Sequence, residues 1–231
     1  MDGEVATVIR ICVVYPELLG TYGDAGNALV LYERARRRGL EVATTPLGPG
    51  DEVPDADVYL LGGGEDGPQR LACDLLRASS FAERVHDGAL VVAVCAGLQI
   101  LGQCFSVEGD DEYLGLGLVE VSTRRGRQRA VGEMASEVGE RRMVGFENHG
   151  GVTALGAGVE PFGRMVVGTG NDGVVDGYRT SNIWATYAHG PVLALNPWLA
   201  DEVLEHVTGT TLAPLATTAD RLYAERCSSI G

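Results

Sequence analysis

A cysteine stands where a strand pattern changes to a helix pattern in the segment AVCAGLQILG, residues 93–102. The residues before it, 89–94, form a continuous apolar and β-branched run, which predicts a buried parallel strand. A side chain on a tight turn from strand to helix is held out at the carboxyl edge of a sheet, beside helix N–H groups that lower a thiol pKa. Cys95 is therefore a candidate nucleophile, and a small core residue is the alternative.

A thiol nucleophile needs a base, and the chain contains four histidines. His189 follows the β-type run IWATYA and so occupies a second strand end, which makes it the preferred partner of Cys95. His149, in the glycine-rich segment FENHGG, is the alternative base. His86 and His206 lie near the ends of predicted amphipathic helices, where a solvated or capping histidine is expected.

Three consecutive glycines, Gly62 to Gly64, follow another predicted strand. Their bare backbone N–H groups could approach a reacting carbonyl and form an oxyanion hole, and a plain turn is the alternative. The run GGGEDG also matches the dinucleotide pattern G-x-G-x-x-G, as does GTGNDG at 168–173. In the first match Glu65 and Asp66 would stand where pyrophosphate should lie, so a dinucleotide site is not predicted.

The composition excludes several other kinds of chemistry. All 18 basic residues are arginine, so the chain has no lysine for a Walker A loop or for a Schiff base. Five widely spaced cysteines without a C-x-x-C pair indicate free thiols and no metal site. A formal net charge of −14 disfavours a nucleic-acid partner. Without a bilayer-length apolar run or signal-peptide features, the sequence predicts a cytoplasmic protein with no transmembrane segment.

The elements that must position these residues alternate between strand and helix. Apolar runs predict strands at 8–14, 42–47, 57–61 and 89–94, and amphipathic patterns predict helices at 28–38, 70–86 and just after Cys95. This alternation is typical of an α/β fold with a doubly wound, mostly parallel sheet and helices on both faces. Ligands of such folds bind at the carboxyl ends of the strands, where Cys95 and the glycine run are expected.

From about residue 116 the pattern changes to short β-type runs broken by glycines, which predicts a more antiparallel half packed on the same core. A further helix is predicted at 196–206. Because no linker composition separates the two halves, we expect a single domain over 1–210. The remaining residues, 211–231, are predicted to form a polar C-terminal tail, and the last dozen of them are expected to be loose.

Five motifs occur in a fixed order along the chain: TYGDAGN at 21–27, YLLGGGED at 59–66, CAGLQ at 95–99, GFENHGG at 145–151 and YAHGP at 187–191. With these motifs the sequence resembles class I glutamine amidotransferases. The nearer resemblance is to the cobyric-acid-synthase-like branch and, within it, to the glutaminase subunits of lipid II isoglutaminyl synthases. The motifs span most of the chain, and the resemblance implies a flavodoxin-like fold, the class I glutamine amidotransferase fold.

The resemblance also implies roles for individual residues. Cys95 would be the nucleophile, His189 the base, and Arg129, in the segment RAVG, the residue that holds free L-glutamine. The arginine cluster RRGRQR, 124–129, would otherwise be interpreted as a solvated face. Pro191 replaces the glutamate that often follows such a histidine by two residues, so the group that orients His189 is unassigned.

Backbone N–H groups complete the expected site. Those of Gly63, Gly64 and Ala96 would hold the developing oxyanion. Gln99, one helical turn beyond Cys95, is expected to line the glutamine pocket. No metal or cofactor is expected in this chain.

The implied function is that of a glutaminase subunit, which hydrolyses L-glutamine to glutamate and ammonia through a cysteine thioester. The expected partner in a heterodimer is a MurT-like ligase subunit, which would carry ATP and Mg²⁺, bind lipid II and amidate the α-carboxylate of its D-glutamate in peptidoglycan synthesis. This partner would bring the chain to the inner face of the membrane. The alternatives are a glutaminase for a corrinoid-type ligase and a non-catalytic docking subunit in which Cys95 is a relic.

Overall fold

The computed structural model describes residues 8–107 and 112–230. Within them the strands are β1 (Ile9–Val14), β2 (Val42–Leu47), β3 (Val58–Leu61), β4 (Leu90–Val94), β5 (Cys104–Ser106), β6 (Glu112–Leu114), β7 (Val121–Val138), β8 (Arg141–Leu155), β9 (Gly163–Val167), β10 (Val175–Asp176), β11 (Tyr178–Arg179) and β12 (Ile183–Thr186). The helices are α1 (Gly26–Arg36), α2 (Asp66–Arg77), α3 (Phe81–His86), α4 (Ala96–Ile100), α5 (Val192–Leu195), α6 (Pro197–Thr208) and α7 (Thr218–Ser229).

The first sheet has six strands in the order β11-β12-β4-β3-β1-β2, and every neighbouring pair is parallel except β11 with β12. The central strands β3 and β4, with the sequences VYLL and LVVAV, are buried at every position, which explains their continuous apolar runs. The edge strand β2 exposes most of its residues and accommodates Pro46, because an edge strand can lack one ladder donor.

The helices cover both faces of this sheet. The connection from β1 through α1 to β2 and the connection from β3 through α2 and α3 to β4 run in opposite directions across the strand order. Right-handed crossovers therefore place α1 and α2 on opposite faces. This arrangement confirms the doubly wound, mostly parallel fold that the alternation of strands and helices predicts.

The second sheet is built on a long antiparallel hairpin. β7 pairs with β8 along almost their whole length, with a register shift between Arg125 and Ala130, and the strand order β10-β9-β7-β5-β6 completes the sheet. The predicted antiparallel half is therefore present. The run IWAT is the exception, because it forms β12 and pairs in parallel with β4 in the first sheet.

Two predicted boundaries differ from the structure. The single helix expected at 70–86 is divided into α2 and α3, because the Ser79 hydroxyl donates to Leu76 O and accepts from the Phe81 N–H, which ends one helix and begins the next. The expected polar tail, 211–231, contains α7. This helix begins at a capping box of Thr217 and Asp220.

The C-terminal helix is held against the second sheet. Ile230 is buried in a small cluster with Ala135 and Val144. Tyr223 Oη donates to Arg142 O at 2.6 Å, and Arg142 Nη1 donates to Ile230 O at 2.7 Å. Across the described ranges, no helix has both the length and the apolar character needed to cross a membrane.

Candidate active site

Cys95 lies on the turn between β4 and α4 in a backbone conformation that is uncommon for a residue with a side chain. Its φ of 51° and ψ of −103° fall at positive φ, which usually marks strain at a functional position. The turn is tied to both neighbouring strands. The Cys95 N–H donates to Thr186 O at 3.0 Å, and the Gly97 N–H donates to Gly62 O at 3.1 Å. The thiol is thereby fixed at the carboxyl edge of the sheet.

His189 follows the adjacent strand, β12, and is fully enclosed. Its backbone exchanges two hydrogen bonds with Phe146 on β8. Its ring Nδ1 lies 3.0 Å from Asp24 Oδ2, and because an ionised carboxylate only accepts, Nδ1 is the nitrogen that carries the proton. Nε2 is buried and has no hydrogen-bond partner in the described parts of the chain. Its lone pair is therefore available to a thiol or a substrate.

Asp24 is the group that orients this histidine. It lies in the loop between β1 and α1 and is almost completely buried. Its Oδ2 accepts both the His189 Nδ1–H and the Gly63 N–H, the latter at 2.9 Å. A carboxylate in this position holds the imidazole in one tautomer and stabilises the imidazolium formed during proton transfer.

The glycine run contributes to the site in two ways. A Cβ on Gly63 would lie 2.5 Å from His189 Cε1, so only glycine lets the loop approach the ring. The Gly63 N–H is occupied by Asp24, which differs from its expected place in the oxyanion hole. Gly64 lines the cavity beside the thiol, and its N–H has no partner among the described residues. The Ala96 N–H faces the Cys95 sulfur and lowers the pKa of the thiol.

Burial dominates the electrostatics of the Cys95 thiol. It raises the pKa of the Cys95 thiol to about 12, and the negative charge of Asp24 acts in the same direction. The Ala96 N–H and the positive charge of Arg129 oppose the increase. The thiol is consequently neutral at pH 7, so a base would have to take its proton before the sulfur could act as a nucleophile.

A cavity opens in front of Cys95 between the first sheet and the β7–β8 hairpin. Its polar walls come from the loop before α1, the segment around the start of α2, helix α4 and the hairpin. They include Tyr22, Gly64, Glu65, Asp66, Gln69, Gln99, Arg124, Arg125, Arg129, Asn148 and His149. No group of three or more metal-ligating side chains occurs among residues 8–107 and 112–230.

Comparison with known proteins assigns this arrangement to a family. The family model described as a CobB/CobQ-like glutamine amidotransferase domain matches residues 10–197. The GatD subunit of the glutamine-hydrolysing lipid II isoglutaminyl synthase of Streptococcus pneumoniae is 32% identical over 208 residues, which cover 86% of this chain and 80% of that subunit. The chain belongs to the CobB/CobQ-like glutamine amidotransferases, in the GatD group. This membership confirms the resemblance seen in the five motifs.

Other relatives of this amidotransferase agree with the assignment. GatD of Staphylococcus aureus is 31% identical over 81% of this chain and 79% of its own length. A cobyric acid synthase of Streptomyces avermitilis is 30% identical over 61% of this chain, but only 26% of that protein is covered. A crystal structure of a glutamine amidotransferase superposes with a TM-score of 0.61 at 23% identity, covering 86% of this chain and 98% of that one. That likeness shows the fold alone.

Gln99 of the amidotransferase lines the cavity and is held rigidly by its neighbours. Its Oε1 accepts from Gln69 Nε2 at 2.9 Å, and its Nε2 donates to Tyr187 Oη at 3.2 Å. Tyr187 Oη is in turn 2.7 Å from Thr153 Oγ1. This buried network fixes the wall of the cavity that lies one helical turn beyond Cys95.

Arg129 reaches the cavity from the irregular part of β7. Its Nε donates to Asn148 Oδ1 at 2.6 Å, and its Nη2 donates to Tyr22 Oη at 3.2 Å. Arg124 and Arg125 also line the cavity, and Arg125 lies 3.4 Å from Asp66. Both residues are also exposed to solvent, as the interpretation of the cluster as a solvated face expects.

His149, the alternative base, has both ring nitrogens in contact with oxygen atoms of neighbouring residues. Its Nδ1 lies 3.0 Å from Gly151 O and its Nε2 lies 3.3 Å from Glu147 Oε2, and its ring stacks on Tyr187 at 3.8 Å between centroids. Both ring nitrogens face acceptors, so neither offers a lone pair to Cys95. His189, with its unpartnered Nε2, is better placed to act as the base.

No role could be assigned to Asp24 from the sequence, although it lies within the motif TYGDAGN. The absence of a glutamate after His189 indicated that an orienting group had to come from elsewhere in the chain. An acidic residue in a glycine-rich segment directly after the first strand was the available signal, since that segment also ends at the carboxyl edge of the sheet.

Proposed function

We propose that this amidotransferase is the glutaminase subunit of a lipid II isoglutaminyl synthase. It hydrolyses L-glutamine to glutamate and ammonia through a thioester on Cys95. The observation that carries the proposal is the buried His189–Asp24 pair at the end of the strand next to the Cys95 turn. A base oriented by a carboxylate and a thiol on a neighbouring strand end supply the groups that nucleophilic amide hydrolysis needs.

The first half of the reaction forms the thioester. His189 Nε2 takes the proton of the Cys95 thiol, and the sulfur attacks the side-chain amide carbon of glutamine. The N–H groups of Gly64 and Ala96 stabilise the negative charge on the carbonyl oxygen. His189 then returns its proton to the departing nitrogen, so that ammonia leaves and a glutamyl thioester remains.

The second half hydrolyses the thioester. His189 Nε2 takes a proton from water, and the resulting hydroxide attacks the same carbon. The carbon–sulfur bond breaks, glutamate leaves, and the proton on His189 returns to the Cys95 sulfur. Asp24 keeps the imidazole in the required tautomer throughout.

Substrate recognition is assigned to residues on the opposite wall of the cavity. Arg129 binds the α-carboxylate of free glutamine, because a guanidinium can donate two parallel charge-assisted hydrogen bonds to it. Gln99 lines the part of the pocket next to the reacting amide. Gly63 supports this site through Asp24 and does not contact the oxyanion.

The ammonia is consumed by a MurT-like ligase subunit that uses ATP and Mg²⁺. This partner binds lipid II and amidates the α-carboxylate of its D-glutamate, at the inner face of the cytoplasmic membrane. The similarity to GatD over 80% of its length supports this acceptor, whereas only 26% of the cobyric acid synthase is covered. A corrinoid acceptor is therefore the second choice.

The test is release of glutamate and ammonia from L-glutamine by the chain alone and together with a candidate ligase, ATP and either lipid II or a corrinoid acid. We expect glutamate release and amidated lipid II. Cys95→Ser should nearly abolish the activity without lowering the thermal stability, since a hydroxyl is a much poorer nucleophile. Cys73→Ser exchanges another buried thiol, on α2, and is the matched control.

Each other outcome has a definite meaning. Full activity of Cys95→Ser would exclude Cys95 as the nucleophile. Amidation of the corrinoid acid would show that the subunit supplies ammonia to a corrinoid-type ligase. No glutamate release with or without a ligase would favour the non-catalytic docking subunit.

A further inference from the structure

Glu65 and Arg129 meet across the cavity through a single hydroxyl group. Tyr22 Oη donates to Glu65 Oε1 at 3.2 Å and accepts from Arg129 Nη2, also at 3.2 Å. Because both groups are bonded to the same oxygen, the carboxylate and the guanidinium lie no further apart than twice that distance. An anion and a cation are thus held close together without touching.

Neither charge is committed to an ion pair. In the ranges that the structure describes, the Glu65 carboxylate hydrogen-bonds only to Tyr22, and Arg129 bonds only to Tyr22 and Asn148. The adjacent carboxylate of Asp66 differs, because it lies 3.4 Å from Arg125. Glu65 and Arg129 are therefore opposite charges on the walls of this cavity that can still receive a ligand.

The position of Glu65 is fixed by the fold. It is the N-cap residue of α2, and its carbonyl accepts the Gln69 N–H at 2.8 Å, which anchors the backbone while the side chain reaches the cavity. Both Glu65 and Arg129 line the same cavity as Cys95. After burial and Asp24, their charges also act on the pKa of the Cys95 thiol, which Arg129 lowers and Glu65 raises. The two charges therefore lie near the reacting sulfur.

Free glutamine carries an ammonium and a carboxylate on one carbon, a short chain away from the amide that reacts. Peptide-bound glutamine carries neither charge. We propose that Glu65 determines specificity by binding the α-ammonium of free L-glutamine, opposite the guanidinium of Arg129, which takes the α-carboxylate. The Tyr22 hydroxyl, which bonds to both side chains, holds the two charges at the spacing of these groups. The inference rests on the proposed glutaminase function and adds to it a second charged contact with the substrate.

The test compares L-glutamine with glutaramate, which has the same amide and carboxylate but lacks the α-amino group. Ammonia release measures kcat/KM for both compounds, with the ligase present if the subunit requires it. Loss of a charge-assisted hydrogen bond predicts that Glu65→Gln lowers kcat/KM for glutamine by about 10-fold to 100-fold. The value for glutaramate should not change, because that compound makes no contact with Glu65.

Asp66→Asn is the matched control, since it removes the neighbouring negative charge on the same wall of the cavity. It should leave the preference for glutamine over glutaramate intact. Equal losses for both compounds in Glu65→Gln would overturn the inference, because Glu65 would then act on the thiol or on the loop. An unchanged kcat/KM for glutamine in that variant would overturn it as well.

A direct binding measurement separates this inference from the proposed function. If no form of the protein releases ammonia from glutamine, the glutaminase proposal fails. Calorimetric titration of Cys95→Ala with L-glutamine and with glutaramate then tests recognition without turnover. The inference is supported if the double variant Cys95→Ala, Glu65→Gln binds glutamine more weakly than Cys95→Ala does but binds glutaramate equally well. It is refuted if both compounds bind more weakly, if neither affinity changes, or if Cys95→Ala does not bind glutamine.

Discussion

Replacing Asp24 by asparagine should slow glutamine hydrolysis while leaving the affinity for glutamine nearly intact. Asp24 Oδ2 accepts the His189 Nδ1–H at 3.0 Å and the Gly63 N–H at 2.9 Å, whereas its Oδ1 is buried without a partner. An asparagine can direct its oxygen at the two donors, which keeps the histidine tautomer but leaves a buried NH₂ group unsatisfied. The opposite orientation would set that NH₂ group against two N–H donors. The first orientation is therefore preferred, since an unsatisfied buried donor costs about 1–3 kcal/mol and the second orientation also loses two hydrogen bonds.

The magnitude follows from the charge that is lost. When His189 becomes positive during proton transfer, a carboxylate at hydrogen-bond distance stabilises it by roughly 2–4 kcal/mol at an effective dielectric constant of about 20. Asp24→Asn removes most of this, so kcat should fall by about 30-fold to several hundred-fold. Asp24→Ala also loses control of the tautomer and should fall by about 10⁴-fold. KM for glutamine should change little in either variant, because Asp24 is not among the residues that line the cavity.

Steady-state ammonia release gives kcat and KM for both variants, and thermal unfolding verifies that each is folded. A kcat for Asp24→Asn within a few-fold of the unmodified protein would refute the role of the carboxylate. Equal losses in the asparagine and alanine variants would refute the argument that the Gly63 N–H selects the orientation of the amide. A rise in KM with an unchanged kcat would place Asp24 in substrate binding.

Three further perturbations test other parts of the site. His189→Ala should abolish ammonia release and His149→Ala should reduce it less, because both ring nitrogens of His149 face acceptors; a larger loss at His149 would exchange their roles. Arg129→Lys should raise KM for glutamine, since an ammonium cannot form the paired contact with a carboxylate. Arg127→Ala should leave KM unchanged, because Arg127 is not among the residues that line the cavity. Equal KM values for the unmodified protein and both variants would show that the arginine cluster is a solvated face. Burial raises the pKa of Asp176 to about 6, above its ordinary value of about 4, so the stability that the protonated form contributes should be lost as pH rises between these values. Thermal unfolding from pH 4 to pH 7 should show this decline, roughly 3 kcal/mol at most, and Asp176→Asn should lack it; the same decline in the variant would assign it to another group.

The sequence predicted the elements that rest on local patterns. The continuous apolar runs of β1, β3 and β4 reflect burial on both faces of a parallel sheet, so their positions follow from residue type alone. Cys95 and His189 could be assigned to the site for the same reason, because each directly follows such a run or its β-type equivalent. The carboxyl ends of parallel strands lie at the same edge of a sheet, so residues that directly follow such strands in the sequence are expected to lie close together in space.

Features that depend on contacts between residues far apart in the sequence could not be predicted. Asp24 and His189 are 165 residues apart, so the local pattern around Asp24 does not show that its carboxylate contacts this histidine. The occupied N–H of Gly63 follows from the same contact. The C-terminal helix was missed for another reason. None of its residues is fully buried, although the capping box of Thr217 and Asp220 is visible in the sequence TTAD.

The order of the strands also has a consequence for how the chain is synthesised. β4 lies between β3 and β12, and β12 is made long after it, once the whole of the second sheet has been added. Until then one edge of an entirely apolar strand has no permanent neighbour, and such an edge pairs readily with other chains. When β12 joins the sheet it closes this edge and brings His189, which follows it, to the same edge of the sheet as Cys95. On a ribosome, protection of this edge from aggregation and assembly of the proposed catalytic pair therefore occur in the same folding step.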